Sequence, residues 1–357
     1  MKLVYIICLL WSFSLISCRT DKQGELPVIP VNLDNSRTIP LSGITQGVKN
    51  VHLELTEHSL ISDRVTRVIY TDDYIFMIDR KSPTPIMFDS NGKFLRTIGS
   101  AGQGPGEFTG MIDIAADFQN RHLYITTLSK LLLYDFDGHF IRERKYVGEN
   151  VRYVNFVDNR LMLICERSEE GNGSRITNLN YANSDLEITD SLHLKTYINS
   201  RMLWWHSHQD FITENSGHIY QYYYEFNSEP FLRDTLYRLE GNQRIPSLKV
   251  DFGTPGVDVE GERTLALWNI YRSERYVFSV YWGADRNMRF CYDMKDGIGY
   301  NMEKGYEDDI NHSGIVDIRP LNIDTERYYY FYTPEDQQEE ENPVLCIGTL
   351  KNLVLQQ

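Results

Sequence analysis

The stretch MIDIAADFQNRHLYITTLSKLLLYDFDGHFIRERKY, residues 111–146, decides the fold class. It holds four runs rich in apolar and aromatic residues, separated by short polar segments: MIDIAAD, HLYITTL, KLLLYDF and FIRERKY. Runs of this length and composition, bounded by turn residues, are typical of β-strands. Because strands joined by short turns pair in antiparallel fashion, the stretch predicts one four-stranded antiparallel sheet.

The turn between the third and fourth runs recurs earlier in the chain. The segment YDFDGHF at 134–140 matches FDSNGKF at 88–94 as an aromatic residue, Asp, any residue, Asn or Asp, Gly, any residue and Phe. Looser versions lie at 237–241 and 292–297. Asn-Gly and Asp-Gly are favoured in tight hairpins in which both central residues adopt positive φ. The sequence therefore predicts hairpins of this kind late in several sheets.

A second pattern, a short polar turn followed by an aromatic-rich strand, occurs six times. The copies are DDYIFMID from residue 72, NRHLYITT from 120, NRLMLICE from 159, SGHIYQYY from 216, SERYVFSV from 273 and TERYYYFY from 325. Their intervals of 39 to 57 residues fit repeats that each form one sheet. Four-stranded sheets repeated around an axis form a β-propeller. We therefore predict an all-β fold, a six-bladed β-propeller of four-stranded antiparallel blades.

The two ends of the chain predict how this ring closes. The sixth repeat supplies only three strand candidates, VDIRPLN, RYYYFYT and PVLCIGT, whereas residues 48–55 form a strand candidate without a blade. We expect this N-terminal strand to complete the last blade, because proteins avoid leaving a sheet edge unpaired. A seven-bladed ring stays open as the alternative if the segment between blades 4 and 5 conceals strands. That segment contains the only helix candidate, at 263–272.

The first residues indicate export. Residues 3–17 carry no charge and fall short of the ~20 residues of a membrane-spanning helix, so we predict a signal peptide at 1–17. The segment LISC at 15–18 resembles the lipobox of bacterial lipoproteins. The resemblance implies that Cys18 becomes the lipidated N-terminus. Arg19, in place of an Asp, implies anchoring in the outer membrane and leaves the leaflet open. An ordinary secretory signal, with Cys18 an unmodified thiol, is the alternative.

The chain thus divides into three predicted parts. The signal peptide is followed by residues 18–47, which hold three prolines without clear periodicity and read as a lipid anchor with a flexible tether. Residues 48–357 form the propeller.

The connection after the first Asn-Gly hairpin has a recognisable form. The segment RTIGSAGQGPGEF at 96–108 follows FDSNGKF at 88–94. Together they resemble the NHL-type repeat and are similar to the six-bladed propeller lipoproteins of Gram-negative gut anaerobes. The resemblance covers 48–357 as architecture, but only the first two blades carry the motif clearly. It implies a fold and an outer-membrane location, and it implies no particular activity.

Charge and cysteine content limit the function classes. Asp and Glu outnumber Lys and Arg by 50 to 36, which gives a formal net charge of −14. A nucleic-acid partner is not expected, because binding phosphates requires a cationic surface. Cys165, Cys291 and Cys346 lie in apolar runs, so we predict buried thiols without a disulfide framework.

Aromatic and polar residues near the fourth and fifth repeats are the candidate ligand-binding residues. They are Trp204, Trp205, His206, His208, Trp268 and Arg272. Trp offers a flat apolar face and a hydrogen-bond donor, which suits sugar rings or peptides. Packing between blades is the alternative role for these aromatic residues. The partners we expect are the membrane, through the lipid anchor, and a glycan, a peptide or an envelope protein.

Catalytic chemistry has less support in the sequence. His206 and His208 could share a metal, but no third ligand stands nearby, and no GxSxG elbow occurs. Six-bladed lactonase-like enzymes hold a divalent metal in the central channel, and polar residues near the inner strands could form such a set. These residues are Asp113, Asn155, Asp210, Asn269 and Asp317. We predict a non-catalytic binding module without a cofactor. A metal-dependent lactonase-like hydrolase or lyase is the alternative.

Overall fold

The computed structural model describes residues 26–34, 36–62, 64–169, 171, 173–198, 211–224, 231–321, 324–334 and 341–352. Within these ranges the regular structure is almost entirely β-strand, with one helix of a single turn. No helix in this part of the chain is long and apolar enough to span a membrane. The predicted all-β class is confirmed.

Five antiparallel groups of four consecutive strands are called sheets 1 to 5; sheets 1, 2, 3 and 5 are separate four-stranded sheets, and sheet 4 is part of a nine-stranded sheet. Before them lie β1 (Val28–Pro30), α1 (Leu41–Ile44) and β2 (Thr45–His52). Sheet 1 consists of β3 (Val65–Tyr70), β4 (Tyr74–Asp79), β5 (Ile86–Asp89) and β6 (Phe94–Thr97). The short pair β7 (Ser100–Ala101) and β8 (Glu107–Phe108) leads to sheet 2, which consists of β9 (Asp113–Asp117), β10 (His122–Thr126), β11 (Lys130–Asp135) and β12 (Phe140–Lys145).

The next three sheets have the same order. Sheet 3 consists of β13 (Glu149–Val157), β14 (Arg160–Ser168), β15 (Ser174–Ala182) and β16 (Ile188–Ile198). Sheet 4 consists of β17 (Ile212–Asn215), β18 (His218–Gln221), β19 (Thr235–Glu240) and β20 (Gln243–Asp251). Sheet 5 consists of β21 (Leu265–Arg272), β22 (Tyr276–Gly283), β23 (Arg286–Asp293) and β24 (Ile298–Met302). The pair β25 (Tyr306–Asp308) and β26 (Gly314–Val316) follows it.

Sheet 6 is built from both ends of the described chain. It consists of β27 (Arg319–Leu321), β28 (Asp324–Tyr332), β29 (Val344–Leu350) and, as its fourth strand, β2. Strands β29 and β2 pair in antiparallel fashion with Val51 opposite Leu345. The N-terminal strand thus pairs with the last strand, as predicted, but it spans Thr45–His52 and not 48–55. One parallel pair, Glu214 with Asp324, links sheet 6 to sheet 4.

The six aromatic-rich repeats of the sequence all form the second strand of a sheet. They correspond to β4, β10, β14, β18, β22 and β28. Ile75 of β4 and Leu123 of β10 are completely buried. These strands read as nearly continuous apolar runs because both faces of each sheet are covered.

The helix candidate at 263–272 is wrong. Residues Leu265–Arg272 form β21, which pairs along its length with β22. The run LALWNIY is buried on both faces of sheet 5, and a short apolar run of this kind cannot be told from a buried helix by its periodicity.

The hairpin prediction is right in position and wrong in detail. Gly92 and Gly138 adopt positive φ, at 91° and 89°, but Asn91 and Asp137 do not. The Asp89 carboxylate instead accepts hydrogen bonds from two backbone amides of its turn, at 2.8 and 3.0 Å. This side-chain bridge stabilises a longer turn, in which only the glycine needs the left-handed conformation.

Apolar clusters join the sheets face to face. One cluster lies between sheets 1 and 2, another between sheets 2 and 3, a third connects sheets 3, 4 and 5, and a fourth lies between sheets 5 and 6. The fifth joins Ile75 and Phe88 of sheet 1 to Tyr329 and Leu345 of sheet 6. Four-stranded sheets packed in this way give a propeller-like fold.

The segment before β2 packs against the sheets. Strand β1 pairs in parallel with β20 at the edge of sheet 4, and the Arg37 backbone amide donates to the Asn301 carbonyl of sheet 5 at 2.7 Å. Ile29, Ile39 and Leu41 are buried. The described part of the predicted tether is thus attached to the fold, since its apolar side chains gain burial and β1 covers a sheet edge.

The three described cysteines are buried and free, as predicted. Burial raises the pKa of the thiols of Cys165, Cys291 and Cys346 to about 12 in each case. They therefore behave as small apolar side chains.

Candidate functional site

A cavity of about 720 Å³ lies where the first strands of the sheets meet. Its wall includes residues of β3, β9, β13 and β27, the first strands of sheets 1, 2, 3 and 6. Phe211, just before β17, and Tyr223 and Tyr224, after β18, also line the cavity. The rim is exposed at Pro83 and Leu128, so the cavity opens to solvent there. A volume of about 300–1,000 Å³ is usual for ligand sites.

The wall of this cavity has the opposite charge to the chain as a whole. Its cationic residues are Arg67, Arg80, Lys81, Arg152 and Arg319, and its anionic residues are Asp79 and Asp113. Five cations against two anions leave an excess of three positive charges, whereas the chain carries −14. Such a wall attracts anions.

Arg67 projects from the middle of β3 and is only 7% exposed. Its Nε lies 3.5 Å from an Asp113 carboxylate oxygen of sheet 2, and its guanidinium lies 5.3 Å from the ring centre of Tyr153 in sheet 3. The other Asp113 oxygen accepts a hydrogen bond from the Val154 amide at 3.0 Å. Arg67 and Asp113 therefore tie three sheets together at the cavity wall.

Arg152 of β13 belongs to a buried charge network. Its Nε donates to Glu166 at 3.0 Å, and Arg175 donates to the other Glu166 oxygen at 3.1 Å. The Tyr197 hydroxyl also donates to Glu166. Burial alone would raise the pKa of Glu166, but the Tyr197 hydrogen bond and the two arginines outweigh it and lower the pKa below its ordinary 4.5.

Aromatic rings form the side of the cavity next to these charges. Phe211 lies 5.2 Å from Tyr153, 4.8 Å from Tyr223 and 5.9 Å from Tyr224, measured between ring centres. Behind them the buried Lys195 ammonium donates to the Tyr224 carbonyl at 2.9 Å and lies 4.7 Å from the centre of the Tyr223 ring. The cavity thus combines a cationic part with an apolar, aromatic part.

A smaller cavity of about 140 Å³ lies on the side of sheets 5 and 6. Arg319 and Pro320 line both cavities, so the two adjoin. Arg319 donates to the Val65 carbonyl at 3.2 Å. Trp268 lines the smaller cavity, where its indole nitrogen donates to Asn287 at 3.0 Å.

Two of the predicted binding residues, Trp268 and Arg272, lie in the described ranges, and they are not at the same site. Trp268 lies at the smaller cavity, with its ring centre 6.1 Å from that of Tyr224. Arg272, at the end of the same strand, lines neither cavity. The other predicted residues lie outside the described ranges, namely Cys18, Trp204, Trp205, His206, His208 and Asp210.

The four described members of the predicted channel metal set, Asp113, Asn155, Asn269 and Asp317, contact other groups of the protein. Asp113 faces Arg67, and both Asp317 oxygens accept hydrogen bonds from Arg289 at 3.1 and 2.9 Å. Asn269 accepts from the Val280 amide at 2.7 Å, and Asn155 donates to the Tyr153 hydroxyl at 3.2 Å. No group of three or more His, Cys, Asp or Glu residues in the described ranges could hold a metal ion.

The sequence interpretation missed the three buried or half-buried arginines of the wall. A signal for them exists, because Arg67 interrupts the apolar run VTRVIY, Arg152 interrupts NVRYVNFV, and Arg319 opens the short inner strand of the last repeat. A charged side chain within a strand that is otherwise buried indicates a polar partner or an internal cavity.

Comparison with known proteins identifies a family and a shared fold. The model of a family described as Domain of unknown function (DUF4934) matches residues 26–354, which is nearly the whole chain. No curated protein matches the chain.

Among solved structures, a candidate exported protein of Bacteroides fragilis is similar at a TM-score of 0.61 and 14% identity, covering 92% of this chain and 100% of that one. The β-propeller domain of Cps50 (Swd1) of Myceliophteria thermophila is similar at a TM-score of 0.42 and 12% identity, covering 83% of this chain and 100% of that domain. At such low identity the Bacteroides likeness shows a shared fold alone.

Proposed function

The chain belongs to the family described as Domain of unknown function (DUF4934), and we propose that this member is a lipid-anchored, six-bladed β-propeller that binds a ligand without catalysing a reaction. The ligand site is the cavity of about 720 Å³, whose charged and aromatic wall is the observation that carries the proposal. Its ligand is a glycan, a peptide or a segment of an envelope protein.

The packing of the sheets supports the ring. Apolar clusters lie between consecutive sheets, and one of them brings sheet 6 back onto sheet 1 through Phe88 and Leu345. The pairing of β2 with β29 supports closure by the N-terminal strand. In a ring of this kind the first strands surround the axis, which is where the cavity lies.

The state of the wall carboxylates supports binding over acid–base chemistry. Asp79 accepts hydrogen bonds from the Ser62 hydroxyl at 2.8 Å and the Lys81 amide at 2.7 Å, whereas Asp113 accepts from Val154 and faces Arg67. Both carboxylates are thus held as structural acceptors. The metal-dependent alternative gains no supporting observation from the described residues.

The cavity is tested by closing its mouth. Leu128 is half exposed at the rim, so Leu128→Trp should obstruct entry, and Val147→Trp, at a residue 95% exposed, is the matched control. Purified protein is applied to arrays of neutral glycans, acidic glycans and peptides. We expect binding by the wild type and the control, and its loss in Leu128→Trp. Equal binding by both variants, or no binding to any array, would overturn the proposal.

The membrane anchor is a separate part of the proposal. Residues 1–17 act as a signal peptide, Cys18 carries the lipid in the outer membrane, and the propeller begins no later than β2, whose first residue is Thr45. Cys18→Ser should move the protein from the membrane to the soluble fraction, and Cys8→Ser should not. Membrane retention of Cys18→Ser would contradict the anchor.

A further inference from the structure

We infer that the central cavity binds a small ligand with at least two anionic groups, carboxylate, sulfate or phosphate, held by Arg67, Arg152 and Arg319. The inference rests on the proposed function in that the cavity is the binding site. It adds the chemical class of the ligand and the residues that select it.

The first support is the charge of the wall. Five cationic and two anionic side chains line the cavity, and the backbone and neighbouring side chains already hold both carboxylates. The layer behind the wall does not cancel this excess, because it contains Glu166 together with Arg175 and Lys195. Gathering like charges in a partly closed space is unfavourable, and a multiply charged anion relieves the repulsion.

The second support is the origin of the three arginines. They come from sheets 1, 3 and 6, so they approach the cavity from different sides. A guanidinium offers planar, bidentate donation that matches carboxylate, sulfate and phosphate groups. Three such groups on separate rigid strands suit a ligand whose anionic groups are spaced apart.

The rim supports the same ligand class. Arg80 and Lys81 line the cavity at an exposed position between β4 and β5. Positive charge at the mouth of a cavity attracts anions and speeds their association, an effect that weakens as salt is added. The entrance of the cavity therefore favours anions, as its interior does.

The aromatic side of the cavity limits the rest of the ligand. Tyr153, Phe211, Tyr223 and Tyr224 line the cavity beside the cations. Aromatic surfaces contact sugar rings or hydrocarbon. Two kinds of small molecule share this chemistry, namely an acidic oligosaccharide of two or three sugar units and a polycarboxylate without a sugar ring.

The test measures saturable binding by calorimetry at constant ionic strength in a buffer free of phosphate. Digalacturonate is the acidic sugar, citrate is the polycarboxylate, pyrophosphate is the inorganic anion and lactose is the neutral control. We expect at least one anion to bind with a stoichiometry of one and lactose not to bind. The anion that binds most tightly shows whether the ligand is an acidic sugar, a polycarboxylate or an inorganic anion.

Two variants assign the binding to the cavity. Arg319→Gln should lower the affinity for the anion by about tenfold or more, because a charge-assisted contact is lost. Arg144→Gln, which removes an exposed ion pair with Glu187 on the outer strand of sheet 2, should leave the affinity unchanged. If Arg319→Gln fails to fold, the rim pair Arg80→Gln and Lys81→Gln replaces it, with slower association and a weaker salt dependence as the expected result.

Three results would overturn the inference. They are saturable binding of none of the anions, equal affinity in Arg319→Gln and Arg144→Gln, and binding of lactose at least as tight as that of the anions. If neutral ligands bind and Leu128→Trp blocks them, the proposed cavity function stands and only the anionic class fails. If Leu128→Trp leaves all binding intact, the cavity itself is the wrong site.

Discussion

Two regions of the molecule differ in the polarity of their side chains. The interfaces between sheets are apolar, whereas the wall of the cavity is charged. The interface between sheets 6 and 1 consists of apolar side chains such as Phe88 and Leu345, and similar clusters recur between the other sheets. The wall instead carries Arg67 and Arg152, which interrupt buried strands, and Arg319, which begins one. The comparison teaches that the repeated pattern specifies the fold, whereas charged departures from it form the wall of the cavity.

The two regions also depend on neighbouring sheets in different ways. Apolar contacts at the interfaces are non-directional, so many combinations of side chains serve. The charges of the wall need particular partners from another strand, as Arg67 needs Asp113 and Arg152 needs Glu166. Because a buried charge without a partner is costly, the wall tolerates fewer substitutions that alter charge.

The largest expected effect lies in the interface. Phe88→Ala removes a completely buried ring from the cluster that joins sheets 1 and 6. We expect the free energy of unfolding to fall by about 3–5 kcal/mol, the usual cost of such a truncation. Urea denaturation followed by fluorescence measures the loss.

The exposed Phe231 provides the matched control. Its side chain is 48% exposed, so Phe231→Ala should change the free energy of unfolding by less than about 0.5 kcal/mol. Similar losses in both variants would mean that the cluster between sheets 6 and 1 contributes little. The contrast between interface and surface would then break down.

The second effect concerns the wall. Glu166→Ala leaves Arg152, only 7% exposed, without its carboxylate. We expect a loss of about 3 kcal/mol, the lower end of the range for breaking a buried ion pair, because the second partner Arg175 is 26% exposed and gains hydration. Glu187→Ala, which breaks an exposed pair with Arg144, should cost no more than about 1 kcal/mol.

The same carboxylate gives the wall a pH dependence. The pKa of Glu166 is lower in the folded protein than its ordinary 4.5. The unfolded chain therefore binds the proton more readily, and the contribution of Glu166 to stability is complete above pH 4.5 and is lost as the pH falls through the folded pKa. The wild type should lose more stability than Glu166→Ala between pH 6 and 3. Parallel profiles would contradict the network.

The sequence predicts the interfaces better than the wall, for a physical reason. Strands such as Tyr74–Asp79 and Tyr276–Gly283 can be predicted from their own composition and the turns beside them. Because this pattern occurs six times, each copy can be assigned to a separate sheet. The meeting of Arg67 with Tyr153, or of Arg319 with Val65, depends on contacts between sheets far apart in the chain. A single Arg within an apolar run indicates that a partner exists, but local sequence does not identify it. Trp268 is predicted from the sequence because Trp offers a ligand a flat apolar face and a hydrogen-bond donor, but its place beside the smaller cavity required the structure.

The smallest effect tests the seam where the two ends of the chain pair. A Cβ atom at Gly348 of β29 would overlap the ring of Tyr328, which is 2% exposed and shares a hydrogen bond of 2.6 Å with Thr45. Gly348→Ala should therefore cost about 2 kcal/mol, since the ring must leave a packed position. Calorimetric melting of the variant against the wild type measures this loss.

Gly47→Ala in β2 is a closely matched control for Gly348→Ala. No atom lies within 4 Å of a Cβ built there, and Gly47 belongs to the same pair of strands as Gly348. Gly47→Ala should raise stability by about 0.5 kcal/mol, because alanine loses less backbone entropy than glycine on folding into a strand. Opposite signs would show that the seam is packed as tightly as the interfaces between sheets. Two gains would mean that Tyr328 moves freely and that the ends of the chain are joined by backbone pairing alone.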